Sequence, residues 1–187
     1  MTRVQGAMPD GVMSAPTAPG RTLGGEIAAE LRAAVSEARA WMIAVPETES
    51  HRRPRPEGWS PREIIGHLID SASNNHGRFV RGALEESLVF ATYDQEAWVA
   101  LHCYQEQSWA SLVARWTAFN EQVAVTIEHI AENALTRRRR EHNFDRIAWK
   151  TVAASEPATL EYFIRDYIGH LRHHLAQVAA IVGPLSR

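Results

Sequence analysis

The stretch "ATLEYFIRDYIGHLRHHLAQVAAIV", residues 158–182, decides the fold. Leu160, Phe163, Ile164, Tyr167, Leu171, Leu175, Val178 and Val182 recur at the spacing of a helix with one buried side. Three earlier segments carry the same period. Leu23 to Ala44 repeats Ile27, Leu31, Val35 and Met42 before Pro46 stops it. A second helix starts at Ser60, with Pro61 at its first position and Glu63 completing a capping box, and runs to about Leu84. The third opens on Ser108, carries Leu112, Trp116, Phe119, Val123, Ile127 and Ile130, and runs to Asn133. Four long helices and no convincing strand predict an all-α four-helix bundle. The connections over residues 85–107 and 134–157 are too long for simple turns, so the order is not up-down-up-down and the chain crosses over an end of the bundle. Within the first, "YDQEAW" (93–98) suits one short helical piece. In the second, the "RRRR" run at 137–140 reads as a solvated face rather than an anion-binding patch.

A chain of 187 residues suits one domain, placed at 21–187, behind a Pro- and Gly-rich tail over 1–20 that is expected to be disordered. The net charge of -2 gives no electrostatic reason to expect nucleic acid or an anionic membrane as partner. Cys103 is the only cysteine, which excludes a disulfide framework and a thiolate-rich zinc site. Any metal must then be held by histidines and carboxylates. No apolar run reaches the about 18 residues of a membrane span, and the expected setting is the cytoplasm.

Histidine is concentrated in the last helix, at His170, His173 and His174. His170 and His174 lie about 40° apart and one turn along, close enough to share an ion. His173 could replace His174, since a three-residue step also permits chelation. A third ligand must come from elsewhere. His67 lies mid-way along the second helix, aligned with Ser71, Asn74 and Arg78 in a polar stripe. Periodicity alone favours a solvent-facing surface for that stripe; the alternative is the wall of a polar cleft. Asp70 could orient His67 by accepting its second N–H, or pair with a surface cation.

The segments "EGWSPREIIGHLIDS", "YDQEAW" and "YIGHLRHHLAQV" together resemble the DinB/YfiT-like family, over residues from about 25 to 182. That resemblance implies an up-down-down-up bundle, often a homodimer, binding a divalent metal, commonly nickel or zinc. The ligands it implies are His67, His170 and His174. Three neutral imidazoles would leave a fourth coordination position open. The implied activities are metal-dependent hydrolysis of a small molecule, or S-transfer using a low-molecular-weight thiol such as bacillithiol, mycothiol or glutathione. The competing reading is a non-catalytic metal-binding, stress-response or interaction bundle. Asn74, Asn75 and Arg78 are candidates to contact substrate, and Tyr93, Asp94 and Trp98 to cover the cleft, against the plainer roles of capping and packing. Trp59 reads as an anchor for the helix start.

Overall fold

The start of the second long helix is fixed by local chemistry. The Ser60 side chain accepts the Glu63 N–H at 3.3 Å, and the Glu63 carboxylate accepts the Ser60 N–H at 2.9 Å. Pro61 sits in the first turn with its φ already helical. The computed structural model describes residues 22–183, so the tail expected over 1–20 lies outside the described residues. In chain order the elements are α1 (Leu23–Met42), α2 (Glu47–Ser50), α3 (Pro61–Leu84) and α4 (Gln95–His102). After a 3₁₀ turn at Tyr104–Glu106 come α5 (Trp109–Glu128), α6 (Glu132–Thr136), α7 (Phe144–Ile147) and α8 (Leu160–Val182). Thr22, Asp94, Ser108 and Thr159 cap α1, α4, α5 and α8 by accepting backbone N–H groups. Among the described residues the only β pairing is two isolated bridges.

Helices α1, α3, α5 and α8 form the four-helix bundle. Arg32 of α1 pairs with Glu121 and Glu128 near the end of α5, while Trp109 at the start of α5 donates to Met42 O at the end of α1. These two helices are antiparallel. Arg62 donates to Gln107 O at one end, and His76 meets Thr126 at 3.0 Å toward the other, so α3 and α5 run parallel. His67 beside His170, with Phe79 beside Phe163, makes α3 and α8 antiparallel. It follows that α1 and α8 run parallel, and Glu30 of α1 ties them by pairing with Arg165 and Arg172 of α8. The directions are therefore up, down, down and up. Trp116, Phe79, Ile27, Leu31, Met42, Ile65, Leu68, Leu112 and Ile127 are fully buried between the four helices.

Two expectations change. The third long helix stops at Glu128 rather than Asn133, because the His129 N–H turns to Thr126 O and Ile127 O and closes the last turn. The chain then re-forms α6, which buries Leu135 against the bundle. The arginine run is not uniformly solvated: Arg137, Arg138 and Arg140 are exposed, but Arg139 is 4% exposed and donates to Gly82 O at 3.0 Å. Its backbone pairs with Ala158 in one of the bridges, and extended backbone alternates sides, which sends one arginine inward.

Gly24 marks the tightest approach of α1 to α5, since a Cβ there would stand 2.6 Å from Ile127 O and 3.2 Å from Glu128 O. Backbone cannot swing aside as a side-chain tip can. Gly24→Ala is expected to lower unfolding stability by about 1–3 kcal/mol. Gly77→Ala, on α3, has Arg81 Nη1 as its nearest neighbour at 4.0 Å and should be neutral or stabilising by up to about 1 kcal/mol. Urea denaturation of the two variants checks the pair.

Candidate metal centre

The antiparallel packing of α3 on α8 brings three imidazoles to one point. His67 Nε2 lies 3.4 Å from His170 Nε2, which lies 3.0 Å from His174 Nε2. One turn of α8 separates the latter two, as the four-residue spacing requires. Ligand-type atoms of the three residues all fall within 4.8 Å of one another. Among the described residues this is the one such group of His, Cys, Asp and Glu side chains, and no fourth member joins it. Trp59 packs against the outer side of His67, at 5.1 Å between ring centroids.

The donor chemistry fits a cation. At most one N–H can lie between two facing ring nitrogens, so three converging Nε2 atoms cannot satisfy one another by hydrogen bonds. An ion held tetrahedrally at about 2.0–2.1 Å from each nitrogen sets neighbouring nitrogens roughly 3.3 Å apart, close to the spacing seen. His174 Nδ1 faces Gln177 Oε1 at 2.7 Å; donating its proton there leaves the Nε2 lone pair directed inward. Burial is the main cause pushing His67 down to about 3, with a contribution from His174. Burial likewise pushes His170 down to about 3, helped by its histidine neighbours, and lowers His174. All three rings are thus held neutral at physiological pH, the form a metal ligand needs.

A cleft of about 260 Å³ opens beside His67 and His170. One wall is the α3 ladder Ser71, Asn75 and Arg78, with Tyr93 above it. Asn75 donates to Ser71 O at 2.9 Å, and Arg78 donates to Asn75 Oδ1 at 3.3 Å and to Ala91 O at 2.7 Å. The opposite wall is Asp166 and Tyr167 of α8 with Trp149 of the second long connection. Burial pushes the Tyr93 hydroxyl up to about 12 against the opposing pull of Arg78. A second opening of about 450 Å³ is lined by His174 together with Trp59, Arg55, Gln177 and Ile181, none of which lines the first cleft.

The polar stripe of α3 is therefore a cleft wall and not a solvent-facing surface: His67 is 1% exposed, Ser71 2%, Asn75 8% and Arg78 5%. Asn74 is the exception, half-buried and bonded to Asp70 O at 2.9 Å, away from the cleft lining. Asp70 does not orient His67. Its side chain leaves α3 on the side facing the 3₁₀ turn, where Oδ1 accepts from Tyr104 at 2.7 Å and sits 3.0 Å from His102 Nδ1. His67 Nδ1 is buried without a hydrogen-bond partner. Of the candidate cover, Tyr93 lines the cleft, Trp98 packs behind it at 5.0 Å, and Asp94 is spent on capping α4. His173 is exposed and lies against Trp149, outside the cluster.

Sequence reasoning passed over Trp149, Asp166 and Tyr104. Asp166 accepts the N–H groups of Trp149 and Lys150, both at 2.8 Å, and so holds the indole over α8. A Cβ on Gly169 would meet that indole at 3.1 Å, and one on Gly66 would meet the Tyr104 ring at 2.1 Å. The two helix-interior glycines were the available signal, because such a glycine often marks a close approach.

Residues 30–178 match the DinB superfamily. Among curated relatives, YfiT of Bacillus subtilis is 27% identical over 134 residues, covering 68% of this chain and 66% of its own. A Bacillus licheniformis relative is 27% identical over 128 residues, covering 67% and 66%. Both are assigned provisionally as metal-dependent hydrolases, and the chain spans just under two thirds of the length of each. The solved structure of YfiT from Bacillus subtilis, described as having an unusual four-helix bundle topology, superposes with a TM-score of 0.68. The match has 18% identity and covers 92% of this chain and 93% of that one. A mycothiol-dependent maleylpyruvate isomerase superposes at 0.61, with 12% identity over 88% of this chain and 62% of that one. With most of its length matched and the same bundle in place, the chain belongs to the DinB superfamily.

Proposed function

We propose that this protein is a divalent-metal-dependent hydrolase of a small molecule, with His67, His170 and His174 as the metal ligands. The observation that carries the reading is the convergence of three neutral Nε2 atoms with, among the described residues, no fourth protein donor beside them. His67, His170 and His174 would hold a divalent ion, which would supply Lewis acidity and lower the pKa of a bound water or thiol. The chain's own residues do the rest. Gln177 fixes the His174 tautomer. Tyr93, protonated at neutral pH, offers the cleft a hydroxyl donor, and Ser71 and Asn75 add polar contacts along the wall. Trp149, held by Asp166, closes the side next to His170 and keeps bulk water off that ring.

A second reading is transfer of a low-molecular-weight thiol to an electrophile. The second opening favours it, because two reactants could then reach the histidines through separate openings. Similarity to a mycothiol-dependent isomerase points the same way. Nickel and zinc both accept imidazole, so either suits this donor set.

Protein purified without a histidine tag, or reconstituted with nickel or zinc, is expected to hold close to one divalent ion per chain. His67→Ala, His170→Ala and His174→Ala should each lose it, and His173→Ala should keep it. Metal analysis by mass spectrometry checks this; a wild-type chain that takes up neither ion would overturn the reading. The metal-free protein also has a predictable acid response. His67 and His170 carry a lower proton affinity folded than unfolded, so the unfolded chain binds more protons below about pH 6.5. Stability contributed by keeping these rings neutral is complete above that pH. It should fall by up to about 1.4 kcal/mol per histidine per pH unit as the pH drops toward 3. Thermal melts of wild type and His67→Phe across this window should show a shallower slope for the variant.

A further inference from the structure

Arg78 is a buried cation without a counterion. It is 5% exposed and lines the cleft, yet among the described residues no carboxylate pairs with it. The charged or titratable groups that bear on it are the Tyr93 hydroxyl and Arg81, and burial pushes its own proton affinity down. Of its five N–H groups, one is given to Asn75 Oδ1 and one to Ala91 O, both neutral acceptors. The Tyr93 ring lies 5.8 Å from its guanidinium carbon. A buried guanidinium in this state carries an uncompensated desolvation cost, which an anion in the cleft would relieve.

The neighbouring acid does not serve. Asp166 lines the same cleft, but its two oxygens are turned to the backbone N–H groups of Trp149 and Lys150. Arg146 also lines the cleft, at its rim; its side chain is 70% exposed and its charge is largely solvated. Arg78 is therefore the group that a bound anion would meet out of water. It stands eleven residues beyond His67 on α3, about 16 Å of helical rise. Its side chain leans back one turn to Asn75, which leaves roughly 10 Å between guanidinium and histidines.

Resting on the metal-centre reading above, we infer that the cleft selects small molecules carrying a carboxylate, which Arg78 receives at the end remote from the three histidines. A planar monoanion matches the guanidinium edge left free, whereas a phosphate dianion would bring a second charge that nothing buried there neutralises. The cleft volume of about 260 Å³ sets the size: a short acid whose reacting group reaches the histidines while its carboxylate reaches Arg78. Ser71 and Asn75 line the span between.

The test uses zinc-loaded protein and hydroxamates, which carry a metal-binding group of their own. Acetohydroxamate has no second anion; the monohydroxamates of succinic, glutaric, adipic, pimelic and suberic acids add a carboxylate at graded distance, and their methyl esters remove its charge. Affinities are read by calorimetry, with zinc content measured alongside. The expected result is that one chain length binds at least about tenfold more tightly than its methyl ester, a gain of about 1.4 kcal/mol. Arg78→Gln should abolish that gain while zinc content and acetohydroxamate affinity stay at the wild-type level. Arg78→Lys should restore part of it. If acetohydroxamate binds and no chain length gains more than twofold over its ester, the inference about Arg78 is overturned and the metal centre stands. If acetohydroxamate does not bind because the protein holds no zinc, the metal centre falls and this inference with it. The acid-to-ester comparison is made on the wild-type chain, so it decides the matter even if the arginine variants fail to fold.

Discussion

The register of α3 against α8 is the constraint on which the site depends. At one end of that seam the facing groups are polar, His67 against His170 and His174, and contribute little hydrophobic attraction. The far end supplies it. Phe79 meets Phe163 and Tyr167 at 5.9 and 5.6 Å, nearly edge to face, and Phe163 stacks on Phe144 at 4.4 Å. Such pairs add to the burial of their area. Asn120 pins the same end by accepting from the buried Tyr167 hydroxyl at 2.5 Å. A slip of one residue along α8 would turn its face by about 100° and separate the imidazoles. The aromatic end thus holds in place a polar end that could not hold itself.

The up-down-down-up order supplies the remaining walls. With α3 and α5 parallel, the chain must travel the length of the bundle between them, whereas α5 and α8 are antiparallel and their long connection leaves and rejoins the bundle at the same end. Neither connection is slack. The Asn143 side chain bonds both the N–H and the carbonyl of Phe90, tying one connection to the other. The Leu88 N–H reaches Glu141 O at 2.8 Å. Buried backbone groups in such segments must find partners, and here each connection partly satisfies the other. Tyr93 and Trp149 are delivered to opposite sides of the cleft by these two connections. Tyr104 bonds Asp70 and packs over Gly66 one residue from His67, so the 3₁₀ turn clamps α3 close to the imidazole.

The four long helices were legible because each carries its start in neighbouring residues and its buried face in a period of 3.6. Ser60, Pro61 and Glu63 needed nothing distant to be read correctly. The three imidazoles were legible as a set through resemblance, while spacing alone could join only His170 and His174. Periodicity alone misjudged the polar stripe, which the resemblance placed in the cleft through His67, and it did so for a physical reason. Periodicity shows that His67, Ser71 and Arg78 share a face, but not what lies opposite that face. Helix α3 is buried on nearly every side in its first half, including Arg62, Glu63 and Asp70, so the contrast that normally separates inside from outside is missing. Asp70 was misassigned because its partner, Tyr104, lies 34 residues away on a turn that no local signal places. Arg139 depended on a single bridge to Ala158, a contact equally invisible in the run of four arginines.

The arrangement separates two tasks that many sites combine. The imidazoles stand on two rigid helices, and their geometry follows from one four-residue step and one helix register. On the proposed reading, selection of what lies beside them falls to Arg78 three turns further along α3, and to Tyr93 and Trp149 on the connections. Arg78 bonds Asn75 and Ala91 and not an imidazole, whereas Trp149 packs beside His170. Solved bundles at 18% and 12% identity share this fold, so the scaffold withstands extensive sequence substitution. A chemistry placed on the seam and a specificity placed on the walls is then the division such a scaffold permits. It also explains why membership of the superfamily fixes the bundle here and leaves the substrate to the residues of the cleft.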